Sequence, residues 1–188
     1  MPSTSGKLRV ACVIDGSNLF CELRERQLPT RLHYTKLGIT IAKAIPPQVG
    51  LWEYQSTTYV CSSPRESENP ERFRQWRQFQ DMLGKTDRLT LRLGRLEGPP
   101  GDTREKGVDT IVTTMLLGGA LKDTYDIAIL VSADGDYASV VDEVRGAGKR
   151  VYAAFFDEKK SYHICQAATG FIDITQFNFE KLRFYRYR

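Results

Sequence analysis

The sequence predicts an α/β fold, a three-layer α/β/α sandwich with a mostly parallel central sheet. Two apolar runs, 8–14 and 126–132, are nearly continuous, as in strands that are buried on both faces. Strand-like stretches alternate with helix-like ones, which is typical of βαβ units. A length of 188 residues fits one domain with a substantial core. We expect that domain to span 8–175, between a disordered segment, 1–7, and a basic aromatic tail, 176–188.

Three strands and three helices are predicted in the first half of the chain. The strands are 8–14, 51–63 and 88–98, and the helices are 17–27, 35–45 and 69–84. Ser17 or Asn18 can cap the first helix, and Pro46 stops the second. The third helix repeats apolar residues at helical spacing, with Trp76 interpreted as a core residue. The second strand is rich in β-branched and aromatic residues, and the third alternates as a half-exposed strand does.

The second half begins with a loop rich in glycine, proline and charge, which we expect to move. It covers 98–107 and is followed by a core helix, 108–122, and the buried strand 126–132. The remaining predicted elements are a helix over 136–148, a strand over 149–156, a short helix over 160–168 and a strand or turn over 171–175.

The composition is ordinary for a soluble globular protein and gives little direct information about function. The net charge of +4 is mild and does not by itself indicate nucleic-acid binding. No apolar run approaches the ~18 residues that span a membrane, and the first residues lack an apolar signal region, so we expect a cytoplasmic protein. The four cysteines have no zinc-ligand spacing, which favours reduced thiols.

Four aspartates at three predicted strand–helix junctions carry the main functional information. Asp15 follows the first strand, Asp109 opens the core helix, and Asp134 and Asp136 follow the strand that ends at Ser132. The carboxyl ends of parallel strands share one edge of the sheet, where ligands bind at the point of strand-order reversal. Each aspartate alone has an ordinary alternative as a cap or turn residue. Together they predict a pocket of carboxylates, which repel one another unless a cation lies between them.

A hard divalent ion, Mg²⁺ or Mn²⁺, suits such a pocket better than zinc does. A bound ion of this kind activates water and neutralises charge at a phosphate, as phosphodiester hydrolysis requires. Asn18, one turn after Asp15, can orient a ligand, and Ser17 and Ser132 can do the same. Lys106 can contact a phosphate or form a salt bridge with Asp102 or Glu105 instead.

Three segments together resemble the signature of NYN domains in the LabA-like branch of the PIN-like nuclease superfamily. They are VIDGSN (13–18), EKGVDT (105–110) and LVSADGDY (130–137), and the similarity continues through GKRVYAAFF (148–156), Ser161 and FID (171–173). The resemblance covers roughly 8–175 and implies a PIN-like, Rossmann-like topology with metal-dependent RNase activity. By motif match it implies a site made of Asp15, Asn18, Asp109, Asp134 and Asp136. Many relatives have Ser where this chain has Gly135, a departure that retains both flanking acids.

The leading hypothesis is therefore a Mg²⁺- or Mn²⁺-dependent endoribonuclease that acts on single-stranded or structured RNA. Asp15, Asp134 and Asp136 are expected to hold a metal, with Asp109 completing the site or binding a second ion. Basic and aromatic residues are expected to contact the nucleic acid, although solvated surface positions are the simpler interpretation. They are Arg72, Arg74, Arg77, Arg95, Tyr185 and Arg186. The sequence leaves open whether RNA or DNA is cut, and whether the tail packs on the domain, binds bases or joins a second subunit in a homo-oligomer.

Two other classes of function compete with the nuclease. The first is a non-catalytic regulator that binds RNA or a protein and retains the acidic pocket. The second is a phosphatase or phosphoacceptor domain. It is disfavoured because Ser17 stands where a phosphatase of the haloacid-dehalogenase type has its second acid. The turn after the first strand is not glycine-rich, which also disfavours dinucleotide binding.

Overall fold

A computed structural model describes residues 6–99 and 101–184. The strands are β1 (Leu8–Asp15), β2 (Trp52–Ser62), β3 (Leu89–Glu97), β4 (Arg104–Lys106), β5 (Ile127–Val131), β6 (Arg150–Phe155) and β7 (Gly170–Asp173). The helices are α1 (Gly16–Glu25), α2 (Tyr34–Ala42), α3 (Pro70–Gly84), α4 (Val108–Leu121), α5 (Ala138–Gly146), α6 (Tyr162–Ala167) and α7 (Phe179–Leu182). Short 3₁₀ segments cover Pro47–Val49, Gly135–Tyr137 and Asp157–Lys159.

The strands form one sheet in the order β4-β3-β2-β1-β5-β6-β7. Neighbouring strands are parallel throughout, except that β4 pairs antiparallel with β3 at the edge. The chain moves outward from β1 to β3 and then crosses back through α4 to place β5 on the other side of β1. The strand order therefore reverses between β1 and β5, where α/β sheets bind their ligands. This confirms the predicted α/β class with a mostly parallel sheet.

Both faces of the sheet are covered, which explains the nearly continuous apolar runs of β1 and β5. Val10, Cys12 and Ile14 pack into a core with α1, α2 and α3, whereas Val13 faces a second core with α4, α5 and α6. Trp76 packs against the first core but stays partly exposed. Among the helices of the described residues, none is both long and apolar enough to cross a membrane.

Three local features differ from the sequence expectations. The predicted loop 98–107 contains the short strand β4, which lies close to β3 because Gly94 has no side chain: a Cβ there would be 2.8 Å from the Lys106 carbonyl oxygen. The predicted tail, 176–188, contains the helix α7, whose Phe179 is buried. Asp15, rather than Ser17 or Asn18, caps α1 through its side chain. Residues 1–5 of the predicted N-terminal segment lie outside the described residues.

Candidate active site

Asp15 ends β1 and caps α1, so its carboxylate lies at the edge of the sheet where the strand order reverses. The neighbouring residue Ile14 pairs with Val131 at the end of β5. The Oδ1 atom of Asp15 accepts a hydrogen bond of 3.0 Å from the backbone N–H of Asn18. Only 4% of Asp15 is exposed. Gly16 is required next to it, because a Cβ there would be 2.4 Å from Cζ of the buried Tyr59 ring.

The hydroxyl of Tyr137 lies between the carboxylates of Asp15 and Asp109. Its distances are 2.9 Å to Asp15 Oδ2 and 3.0 Å to Asp109 Oδ1. A phenol has one proton, so it can donate to only one of these two oxygens at a time. Burial, followed by the two carboxylate charges, raises the pKa of Tyr137 far above its usual range, which keeps that proton in place. When both carboxylates are ionised, one of them faces the hydroxyl oxygen without a proton between them.

The pKa of Asp15 is raised from 3.8 to about 6. Burial is the largest cause. The hydrogen bonds from Asn18 and Tyr137 lower the pKa, and the charges of Glu105 and Asp109 raise it again. A carboxylate that is difficult to ionise beside other acids is stabilised by a cation.

Asp109 lies in the first turn of α4, as the sequence predicted. Its side chain is exposed. The residue before this helix, Gly107, has a φ of 84°, a left-handed conformation that favours glycine and turns the chain from β4 into α4. Asp109 is therefore open to a ligand from solvent while its Oδ1 contacts the Tyr137 hydroxyl.

Glu105 and Tyr137 are two site residues that the sequence analysis did not identify. The Oε2 atom of Glu105 accepts hydrogen bonds from the Ser17 hydroxyl at 2.7 Å and from the Ser62 backbone N–H at 3.2 Å. These contacts join β4 to the end of β2 and the start of α1. The position of Glu105 inside the EKGVDT segment was a signal, but its geometry depends on the unpredicted strand β4.

Asn18 and Ser132 hold the two loops of the site together. The Oδ1 atom of Asn18 accepts hydrogen bonds from the Ser132 hydroxyl at 3.3 Å and from the Ala133 backbone N–H at 3.1 Å. The same hydroxyl accepts a hydrogen bond of 3.1 Å from the backbone N–H of Asp134. The amide of Asn18 thus ties α1 to the turn after β5.

Asp134 and Asp136 lie in that turn, with hydrogen bonds that stay local. Asp134 Oδ1 accepts from the Asp136 backbone N–H at 3.0 Å and caps the 3₁₀ segment. Gly135 packs against α6, since a Cβ there would be 2.8 Å from Ser161 Oγ. The structure brings Asp15 and Asp109 together through Tyr137. Within residues 6–99 and 101–184, no group of three or more His, Cys, Asp or Glu side chains is arranged to hold a metal ion.

This donor set fits a weakly coordinated hard cation. Asp15 and Asp109 supply carboxylate oxygens that face each other across one hydroxyl. Mg²⁺ is usually bound by one or two carboxylates and completes its shell with water and substrate phosphate. An enclosed site for a structural metal would require more protein ligands than these.

An open cleft of about 460 Å³ adjoins the acidic residues, and two of the predicted nucleic-acid contacts, Ser17 and Arg72, line it. Its walls include Ser17 and Glu105 near the acids, and Arg72 and Trp76 on α3. Two of the other predicted arginines are paired with acids: Arg74 with Glu71 at 2.9 Å, and Arg95 with Glu97 at 2.6 Å.

The remaining predicted nucleic-acid contacts do not line this cleft or lie outside the described residues. Arg77 donates to the side chain of Gln80 on α3. Lys106 is exposed on β4, opposite Arg95. Tyr185 and Arg186 lie outside the described residues.

Comparison with known proteins gives one family and one fold. The family model of the NYN domain matches residues 9–175. A solved structure of a protein of unknown function from Vibrio parahaemolyticus has a similar fold, with a TM-score of 0.68 and 19% sequence identity. The match covers 93% of this chain and 97% of the other. Among curated proteins, none matches the sequence significantly.

Proposed function

The chain belongs to the NYN domain family of nuclease-like domains, and on this premise we propose that it is a metal-dependent endoribonuclease that hydrolyses RNA phosphodiester bonds. One observation carries the proposal: the buried Asp15 and the exposed Asp109 both contact the Tyr137 hydroxyl, which has only one proton to donate, at the point of strand-order reversal. This pair needs a compensating positive charge and is open to solvent on one side, as a site for a hydrated cation and a phosphate must be.

Asp15 and Asp109 are the residues that would hold the ion, Mg²⁺ or Mn²⁺. When bound, the ion would supply an activated water and neutralise charge on the scissile phosphate. Asp134 and Asp136 remain proposed ligands, because they follow β5 at the same edge of the sheet. Asn18 and Ser132 would position the two loops, and Glu105 would fix Ser17 beside the substrate.

A cleavage assay on labelled single-stranded RNA and DNA tests this proposal. The wild type and an Asp109→Asn variant are compared in Mn²⁺, in Mg²⁺ and in EDTA. Asp109 is exposed, so its substitution should leave the fold intact. Asp87→Asn is the matched control: Asp87 lies two residues before β3, at the opposite edge of the sheet, and its side chain is 92% exposed.

We expect RNA fragments with either ion and none in EDTA. Asp109→Asn should cut at least 100-fold more slowly than wild type, while Asp87→Asn should cut at the wild-type rate. Wild-type cleavage by Asp109→Asn, or a folded wild type that cuts no substrate with any ion, would refute the proposal. Cleavage of DNA at the same rate as RNA would support the metal-dependent hydrolysis but would refute the assignment of RNA as the specific substrate.

The alternative is a regulator that binds RNA or a protein without cutting. The Tyr137 hydroxyl favours it, since this hydroxyl lies between the two carboxylates that would hold the ion. A regulator of this kind retains RNA in EDTA and yields no fragments when Mn²⁺ is added.

Three narrower assignments extend the proposal. The three signature segments support the LabA-like branch of the superfamily. A cytoplasmic location is proposed from the sequence, as is a homo-oligomer. Fractionation of cells and a mass measurement in solution test the last two.

A further inference from the structure

We propose that the cleft between α1 and α3 is a nucleobase-binding subsite that holds an unpaired nucleotide of a single-stranded nucleic acid beside Asp15. The inference rests on the proposed function only in placing the scissile phosphate at the acidic site. The cleft would bind its nucleotide whether or not cleavage follows.

The α1–α3 cleft has the size and position for such a ligand. Its volume of about 460 Å³ falls in the range of roughly 300–1,000 Å³ that is typical of small-ligand pockets. Gly16 and Ser17 line the cleft and directly follow Asp15 in the chain. Glu105, whose Oε2 atom accepts a hydrogen bond of 2.7 Å from the Ser17 hydroxyl, also lines the cleft. A base in the cleft would therefore have its phosphate close to the acidic residues.

Aromatic side chains from both helices form the walls of the α1–α3 cleft. Phe20 on α1 lines the cleft and is 40% exposed, so its ring is accessible to a ligand. On α3, Trp76 and Phe79 are partly buried, with ring centroids 5.6 Å apart. Rings of this kind stack with any of the bases, because every base has a π-face.

Arginines at the α1–α3 cleft supply positive charge that complements the negative charge of a phosphate backbone. Arg24, Arg31 and Arg72 all line it and are exposed. Arg31 reaches across to the Gln75 carbonyl oxygen on α3 at 3.5 Å. In the part of the chain that the structure describes, none of the three forms an ion pair with an acidic side chain. Unpaired guanidinium groups around aromatic walls combine the two features of single-strand binding sites, backbone charge contacts and base stacking.

The preference for a single strand follows from the aromatic rings that line the cleft. A base can reach rings inside a cleft only if it is out of a base pair and out of a stack, and duplexes pay an unstacking energy for this. Single-stranded RNA or DNA presents such bases freely.

Tryptophan fluorescence in EDTA tests the proposal without any cleavage. The chain has two tryptophans, and Trp52 lies at the start of β2, at the opposite edge of the sheet. A Trp52→Phe variant therefore reports on Trp76 alone. A single-stranded RNA oligomer should quench this emission at saturation, and a duplex of equal length should bind at least tenfold more weakly. An equally strong response to the duplex, or to AMP alone, would overturn the single-strand assignment.

Matched variants assign the binding to this cleft. Phe20→Ala, at an exposed position, should weaken binding of the oligomer by about 5- to 150-fold. This fold-change corresponds to about 1–3 kcal/mol of stacking per base. Arg72→Gln should weaken binding and reduce its salt dependence by about one ion. Arg77→Gln on the same helix is the comparison: Arg77 was also expected to contact nucleic acid but does not line the cleft, so its substitution should weaken binding less than Arg72→Gln does.

The outcomes separate this proposal from the nuclease proposal. Equal losses of oligomer affinity in the Arg72 and Arg77 variants would indicate that the oligomer binds to the outer face of α3 instead of the cleft. No oligomer binding by a folded protein would overturn the subsite and favour a protein as the ligand of the cleft. Binding as expected without cleavage in Mn²⁺ would retain the subsite and refute only the nuclease.

Discussion

Replacing the buried Asp15 by Asn should stabilise the folded protein at neutral pH. Because the pKa of Asp15 is raised to about 6 in the folded state, this state binds a proton more tightly than the unfolded chain does. The free energy of unfolding therefore falls as the pH rises from about 4 to 6, and it stays lower above that range. Asparagine has no charge to desolvate, and its side-chain oxygen can still accept from the Asn18 backbone N–H.

The pKa shift sets the size of this effect. At about 1.4 kcal/mol for each pKa unit, ionising Asp15 at pH 7 costs the fold roughly 3 kcal/mol. The substitution also replaces a charged hydrogen bond with Tyr137 by a neutral one, which offsets part of the gain. We expect Asp15→Asn to raise the free energy of unfolding by about 1–3 kcal/mol at neutral pH.

Urea denaturation in EDTA, at about pH 7.5 and about pH 4.5, measures this difference. The advantage of Asp15→Asn over wild type should be on the order of 2 kcal/mol larger at the higher pH. Saturating Mn²⁺ should stabilise the wild type and remove most of the advantage, because an ion that binds only the folded state stabilises it. An effect of the substitution that is equal at both pH values would refute the argument that desolvation of Asp15 drives it.

Three further substitutions test the contacts of the site by denaturation. Tyr137→Phe should lower the free energy of unfolding by about 1.5–3 kcal/mol at neutral pH, because it removes a hydrogen bond to the charged carboxylate of Asp15. It should also raise the pKa of Asp15 further. An unchanged stability would contradict the hydrogen bond from the Tyr137 hydroxyl. Gly16→Ala should lower the free energy of unfolding by about 1–3 kcal/mol, because the new Cβ would collide with the Tyr59 ring. Gly84→Ala is its control: a Cβ there has open space around it, so this substitution should be neutral or stabilising. Gly135→Ser should destabilise by roughly 1 kcal/mol, and Ser161→Ala should restore most of the loss; an equal loss in the double variant would exclude that contact.

The fold could be predicted largely because its strands and helices have strong hydrophobic patterns. β1 and β5 are apolar on both faces, and α4 is an apolar helix between them along the chain. The strand β4 has three exposed residues and no such pattern, so only its backbone pairing with β3 defines it. Local pattern carries no information about that pairing.

The candidate site was predictable in position and less so in its contacts. Asp15 and Asp109 were expected at one edge of the sheet, and the Tyr137 hydroxyl joins them. Tyr137 is 1% exposed and has the sequence character of a core aromatic residue, so nothing local indicates that its hydroxyl contacts two acids 122 and 28 residues away. The contacts of Glu105 likewise require three segments to fold against each other.

Anomalous diffraction from a crystal soaked in Mn²⁺ would locate the metal site. We expect one strong peak in contact with the carboxylates of both Asp15 and Asp109, absent from an Asp109→Asn crystal and retained in Asp87→Asn. A wild-type crystal without a peak at these carboxylates, at Mn²⁺ concentrations that saturate any effect on stability, would contradict the claim that this pair forms the metal site of a nuclease.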